Sequence, residues 1–65
     1  MSTETEREVI GEGERGEVVI ITFEDNVVDG DVKHDTRYLV RMGAFTMQET
    51  KNKRDAERTA HALVR

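Results

Sequence analysis

The sequence predicts a small α+β domain, in which a three-stranded antiparallel sheet is followed by one C-terminal helix packed on one face (β-β-β-α), behind a disordered acidic N-terminal tail. Three observations lead to this prediction. Residues 17–24 are dominated by β-branched side chains, which favour strands. Two further strand-like runs follow them, and residues 52–65 carry apolar side chains at helical spacing.

Residues 1–14 are predicted to form the acidic tail. Residues 1–8 are polar and charged, which is typical of a disordered chain end. Residues 11–16 match the G-x-G-x-x-G pattern of dinucleotide-binding folds, but a strand follows them where that pattern requires a helix N-terminus. We interpret residues 11–16 as a flexible loop. Val9 and Ile10 are compatible with a brief strand that pairs back across this loop. The chain therefore divides into a tail (1–14) and a single domain (15–65).

The three predicted strands are residues 17–24, 36–42 and 44–49. Asp-Gly-Asp at residues 29–31 predicts a turn between the first two strands, and Gly43 predicts the turn between the second and third. Side chains alternate between the faces of a strand. We therefore place Tyr38, Val40 and Met42 together on the face that the helix covers.

The last segment has the features of an amphipathic helix. Asn52 is a suitable N-cap, and Asp55 three positions later resembles the acidic member of a capping box. Four apolar residues recur on one helical face, namely Ala56, Ala60, Leu63 and Val64. The two alanines predict a close approach of the helix to the sheet.

One helix covers only one face of a sheet, yet residues 18–21 are apolar on both faces, which is typical of a strand buried on both sides. We assign Val18, Ile20 and Leu39 to the uncovered face as a self-association patch. Its predicted polar rim consists of Arg37, Arg41, Thr46 and Gln48. An apolar patch with a polar rim is typical of an interface. We therefore expect a homodimer or a complex with another protein.

The distribution of charge supports an alternative partner. Residues 1–31 carry ten acids and two bases, whereas residues 32–65 carry eight bases and four acids. A basic half favours nucleic-acid binding, although the net charge of −4 and the three aromatic residues disfavour it. The candidate contacts are Arg37, Arg41, Gln48, Lys51, Lys53, Arg54 and Arg58.

Residues 53–60 also resemble the Lys-Lys-x-Ala helix start of double-stranded-RNA-binding domains, which place three strands before such a helix. The resemblance implies phosphate contacts from this part of the helix. The first helix of that family has no counterpart here, and Glu57 stands where the family usually has a third lysine. The resemblance does not extend to family membership.

The composition argues against catalysis. The chain has no cysteine and its only serine is Ser2, so a Ser-His-Asp site has no plausible nucleophile. Its two histidines lie far apart in the sequence, and surface histidines and an ordinary acidic loop at residues 25–35 explain the potential ligands better than a metal site does. We expect no cofactor, no metal and no small-molecule substrate. No apolar stretch approaches the roughly 20 residues of a membrane span, and the start lacks signal-peptide features, so we expect a cytoplasmic protein. The acidic, arginine-rich composition resembles that of proteins from extreme halophiles. The sequence thus predicts a small non-catalytic interaction module that self-associates, with nucleic-acid binding as the alternative.

Overall fold

Four antiparallel strands and one helix form the fold in a computed structural model that describes residues 2–27 and 33–65. The elements are β1 (Ser2–Gly13), β2 (Gly16–Val27), β3 (Lys33–Met42), β4 (Phe45–Thr50) and α1 (Lys53–Leu63). The strands lie in the sheet in chain order, and each is antiparallel to its neighbour. The predicted α+β class, with an antiparallel sheet and a C-terminal helix, is confirmed. The turn predicted at residues 29–31 lies outside the described residues.

The prediction of three strands was wrong, because the segment interpreted as an acidic disordered tail forms β1. This strand pairs with β2 down to Gly13, which lies opposite Gly16. Two register shifts interrupt the pairing, so that Thr5 and Ile10 are extra residues on β1. The brief strand predicted at Val9 and Ile10 is therefore part of a longer one. The boundary predicted at residue 14 falls in the turn that joins β1 to β2.

Helix α1 begins where the sequence predicts. The Oδ1 atom of Asn52 accepts a hydrogen bond from the backbone N–H of Arg54 at 2.9 Å, which satisfies one of the amides left free in the first turn. Ala56 and Ala60 are both completely buried, and their small side chains let the helix axis lie close to the sheet. The helix contacts all four strands, and its end reaches β1.

The main hydrophobic core lies between α1 and the sheet. Its buried members are Val18, Ile20, Val40, Met42, Ala56 and Ala60. Ile10, Tyr38, Leu63 and Val64 pack against this cluster and are partly buried. The helix face predicted from the apolar spacing of residues 56–64 is thus the face that contacts the sheet.

Two glycines of the G-x-G-x-x-G stretch make room for the end of the helix. A methyl group on Gly11 would lie 2.8 Å from Cγ1 of Val64. A methyl group on Gly13 would lie 2.8 Å from Cγ2 of Val18 and 3.0 Å from the carbonyl oxygen of Leu63. All three distances are shorter than van der Waals contact, so only glycine fits at either position without displacing a neighbour. The interpretation of this stretch as a flexible loop was wrong.

Backbone pairing joins the residues that follow α1 to the end of β1 at the same place. Gly13 and Val64 form an antiparallel bridge, and the backbone N–H of Arg65 donates to the carbonyl oxygen of Glu12 at 3.0 Å. The Arg65 guanidinium also lies 3.2 Å from the Glu14 carboxylate. This part of the outer edge of β1 is therefore paired rather than open.

The two tight turns at this end of the sheet contact each other. Gly16 has φ 133° and Gly43 has φ 59°, both in the region that favours glycine. The backbone N–H of Gly43 donates to the carbonyl oxygen of Glu17 at 3.0 Å, which ties the β3–β4 turn to the start of β2. The Arg15 guanidinium lies 5.4 Å from the centre of the Phe45 ring, within the range of a cation–π interaction.

Candidate interaction face

The side of the sheet that faces away from α1 is called the open face below. Strand pairing arranges the residues in the middle of this face in three rows that run from β1 towards β4. The first row is Val9, Val19, Arg41 and Thr46; the central row is Arg7, Ile21, Leu39 and Glu49; and the third row is Glu4, Phe23 and Arg37. Glu12 and Glu17 pair beside the first row, near the β1–β2 turn.

The middle of the open face is apolar. Val19 and Ile21 are only 8% and 2% exposed although they lie on the side of the sheet away from α1. Phe23 and Leu39 are half-buried, and Val9 is 56% exposed. The apolar surface that remains accessible on this face therefore lies on either side of β2.

Charged side chains of both signs border the apolar residues. The Arg7 guanidinium lies 3.0 Å from the Glu4 carboxylate, and the Arg37 guanidinium lies 2.9 Å from the Glu49 carboxylate. Arg37 is also 5.9 Å from the centre of the Phe23 ring. The carboxylates are 42% and 54% exposed, and exposed pairs of this kind typically stabilise a fold by less than about 1 kcal/mol each. These side chains can therefore exchange partners at little cost in fold stability.

The charges on the open face nearly cancel. The three rows and the Glu12–Glu17 pair contain three arginines and four glutamates, and beyond the third row Asp35 pairs with Lys51. A polyanion is attracted to a surface with excess positive charge, whereas a protein surface pairs with complementary charges of both signs. The open face therefore matches the second kind of partner better than the first.

The face assignment of Val18 and Ile20 was wrong. They are 0% and 3% exposed and belong to the core under α1, because Val18 pairs with Met42 and Ile20 with Val40. Leu39 lies on the open face, as predicted. The apolar residues of β2 on the open face are instead Val19, Ile21 and Phe23.

The candidate nucleic-acid contacts on the sheet are also divided between its two sides. Arg37 and Arg41 lie on the open face, but Gln48 lies on the helix side, opposite Val40. A bulge at Met47 shifts the register of β4 and so reverses the side on which Gln48 was predicted. Among the described residues, Nε of Arg41 and Oε1 of Gln48 are buried without a hydrogen-bond partner.

Of the four basic candidates near the start of α1, Lys51 lies beside the open face, and only the three on the helix form a separate surface. The Lys51 ammonium lies 3.7 Å from the Asp35 carboxylate. Lys53, Arg54 and Arg58 are exposed and make no ion pair within the part of the chain that the structure describes. The structure therefore does not join the helix candidates and the sheet candidates into one basic face.

Within residues 2–27 and 33–65, no helix combines the length and the apolar character needed to cross a bilayer. In the same residues, no three histidine, cysteine or acidic side chains lie close enough together to hold a metal ion. No protein-family model, curated protein or solved structure matches the chain. The site must therefore be interpreted from its own geometry.

Sequence reasoning missed the contribution of β1 to the open face. Glu4, Arg7 and Val9 all lie there, but they belong to the segment that was interpreted as a tail. A signal was present, because threonine and glutamate alternate through residues 3–6 with the period of a strand. The high charge of the segment concealed it.

Proposed function

We propose that the protein is a non-catalytic interaction module that binds a second copy of itself through the open face. The observation that supports this proposal most directly is the composition of that face, where Val9, Phe23 and Leu39 keep accessible apolar surface and nearly balanced charges border them. A face of this kind lacks the excess positive charge that a polyanion requires and has the alternation of apolar and charged positions that a protein surface can match.

The size of the face indicates how strong the association would be. Four strands spaced about 4.8 Å apart and three rows spaced about 6.8 Å apart span roughly 400 Å². Two copies would then bury about 800 Å² in total, below the 1,200–2,000 Å² of standard stable interfaces. The proposal therefore predicts a weak dimer, which forms at high micromolar concentration and dissociates on dilution.

Sedimentation equilibrium of two open-face variants tests the proposal. Leu39→Arg introduces a charge at the middle of the face, and Val9→Arg does so at a position that is already exposed, so its folding should be unaffected. Ala62→Arg, on the exposed side of α1, is the matched control. We expect the wild type and the control to dimerise and both open-face variants to remain monomeric. A wild type that is monomeric at high micromolar concentration, or open-face variants that dimerise like the control, would contradict the proposal.

Nucleic-acid binding by the start of α1 remains the second candidate. The observation that favours it is the group of cations at Lys53, Arg54 and Arg58, which form no ion pair within the described residues. An amide NMR titration with a mixed-sequence DNA duplex and an RNA duplex distinguishes the two functions. Salt-sensitive shifts confined to residues 51–58 would support this candidate. Shifts of open-face residues on dilution of the protein alone would support self-association.

A further inference from the structure

The central row of the open face is complementary in charge to the same row of a second copy that runs in the opposite direction. From β1 to β4 it consists of a cation, two apolar residues and an anion: Arg7, Ile21, Leu39 and Glu49. If the same row of a second copy is laid over it in the opposite direction, each charge meets its opposite and the apolar residues meet each other. This property concerns how two open faces fit, so the inference rests on the self-association proposed above.

Two symmetric arrangements bring two open faces together with their strands aligned, because a two-fold dimer uses the same patch on both copies. If the two-fold axis is parallel to the strands, β1 of one copy lies over β4 of the other, and the order of the rows is kept. If the axis runs across the strands, β1 lies over β1, and the first and third rows exchange places. The charges on the rows distinguish the two arrangements.

An axis across the strands brings like charges together. Arg7 would face Arg7 of the second copy, Glu49 would face Glu49 of the second copy, and Arg37 would face Arg41 of the second copy. Juxtaposed like charges of this kind act against association. An axis parallel to the strands avoids all three of these contacts.

We infer that the protein dimerises about a two-fold axis parallel to its strands, and that Arg7 and Glu49 determine the specificity of this assembly. Arg7 pairs with Glu49 of the second copy, and because of the symmetry this ion pair forms twice. In the centre, Leu39 of each copy lies over β2 of the other, where Ile21 is already 2% exposed in the single chain and adds little to the contact. In the third row, Phe23 faces Arg37 of the second copy, which repeats between copies the contact that these residues make within one chain.

The dimensions of packed sheets allow these pairs to form. Facing sheets lie about 10 Å apart and are rotated by about 30° when their strands are aligned. The outer strands lie about 7 Å from the axis, so this rotation displaces facing residues by roughly 4 Å. The long side chains of Arg7 and Glu49 can span such a displacement. Both side chains are 54% exposed in the single chain and are therefore accessible to a second copy.

Charge reversal at the two positions tests the arrangement. Arg7→Glu and Glu49→Arg each replace two attractive contacts by two repulsive ones, so each should weaken dimerisation about 10- to 30-fold in low salt, and less in high salt. Combining the two reversals in one chain restores the pairs in exchanged form and should restore dimerisation. Mixing the two single variants should give heterodimers. Arg58→Glu on α1 and Glu8→Arg on the helix side of β1 are the matched controls.

Sedimentation measures the affinities, and native mass spectrometry counts the species in the mixture. Heterodimer formation together with recovery in the double variant supports the inference. If single reversals weaken the dimer but neither recovery nor heterodimers appear, the axis is not parallel to the strands, although self-association through the open face stands. If neither Leu39→Arg nor either reversal changes the association, both the inference and the proposed function are wrong. Amide spectra of each variant confirm that it is folded.

Discussion

Replacing Gly13 by alanine should destabilise the fold, and the sign of the effect distinguishes the observed structure from a flexible loop. Gly13 does not have a positive φ, so its backbone conformation suits alanine and any penalty is steric. The added methyl group would lie 2.6 Å from the sulfur of Met42, in addition to its close approaches to Val18 and the carbonyl oxygen of Leu63. The Met42 side chain can move aside, but the completely buried Val18 and the helix backbone cannot do so easily.

The expected magnitude follows from two opposing terms. Inserting a methyl group into a packed site usually costs about 1–3 kcal/mol. Alanine also restricts the unfolded chain, which stabilises the folded state by about 0.4–1 kcal/mol. The net loss in the free energy of unfolding should therefore be about 1–2 kcal/mol. In a domain of this size, 1 kcal/mol lowers the Tm by roughly 4–8 °C.

Thermal unfolding followed by circular dichroism, at one low protein concentration, measures this loss. Glu12→Ala is the control, since Glu12 is exposed and lies next to Gly13 on the same strand. Its effect should stay within about 0.5 kcal/mol. In a flexible loop only the unfolded-state term applies, and the Tm of the Gly13→Ala variant would stay the same or rise. That result would refute the close packing of α1 against β1.

Two further predictions concern the ends of the fold. Asn52→Ala removes the oxygen that caps α1 and should lower the free energy of unfolding by about 1 kcal/mol. Lys53→Ala is the control and should have little effect. Urea titration measures both variants, and equal effects would contradict the capping role of Asn52. Deleting residues 1–13 should abolish cooperative thermal unfolding, because it removes β1 and the contact of Ile10 with the core, whereas a melting curve like that of the full chain would support a dispensable tail.

Local chemistry made much of the fold predictable. The β-branched run of β2 and the glycine at residue 43 indicated their elements directly, and the N-cap and two alanines of α1 indicated where the helix starts and which face it buries. These signals act over a few residues, through side-chain sterics and single hydrogen bonds. These elements can therefore be predicted without knowing which strands become neighbours in the sheet.

Register depends on information that short patterns do not contain. Residues 18–21 are apolar throughout, so their sequence fits either face of the sheet equally well. A shift of one residue between strands moves every side chain to the other face. Val18 and Ile20 were misassigned for this reason, and Gln48 was misassigned because one bulge residue has the same effect. The location of the candidate interface was thus predictable only as far as Leu39, Arg37, Arg41 and Thr46.

The bridge between Gly13 and Val64 also has a consequence for the kinetics of the protein. Every strand pairs with the strand that precedes it in the chain, so the sheet can assemble by closing short loops, which is entropically inexpensive and fast. The contact of α1 with β1, in contrast, joins residues near opposite ends of the chain. An interaction that forms after the transition state changes the unfolding rate and leaves the folding rate unchanged. We therefore expect the contact between α1 and β1 to determine the unfolding rate, and so the lifetime of the folded state. The consecutive hairpins should determine the folding rate.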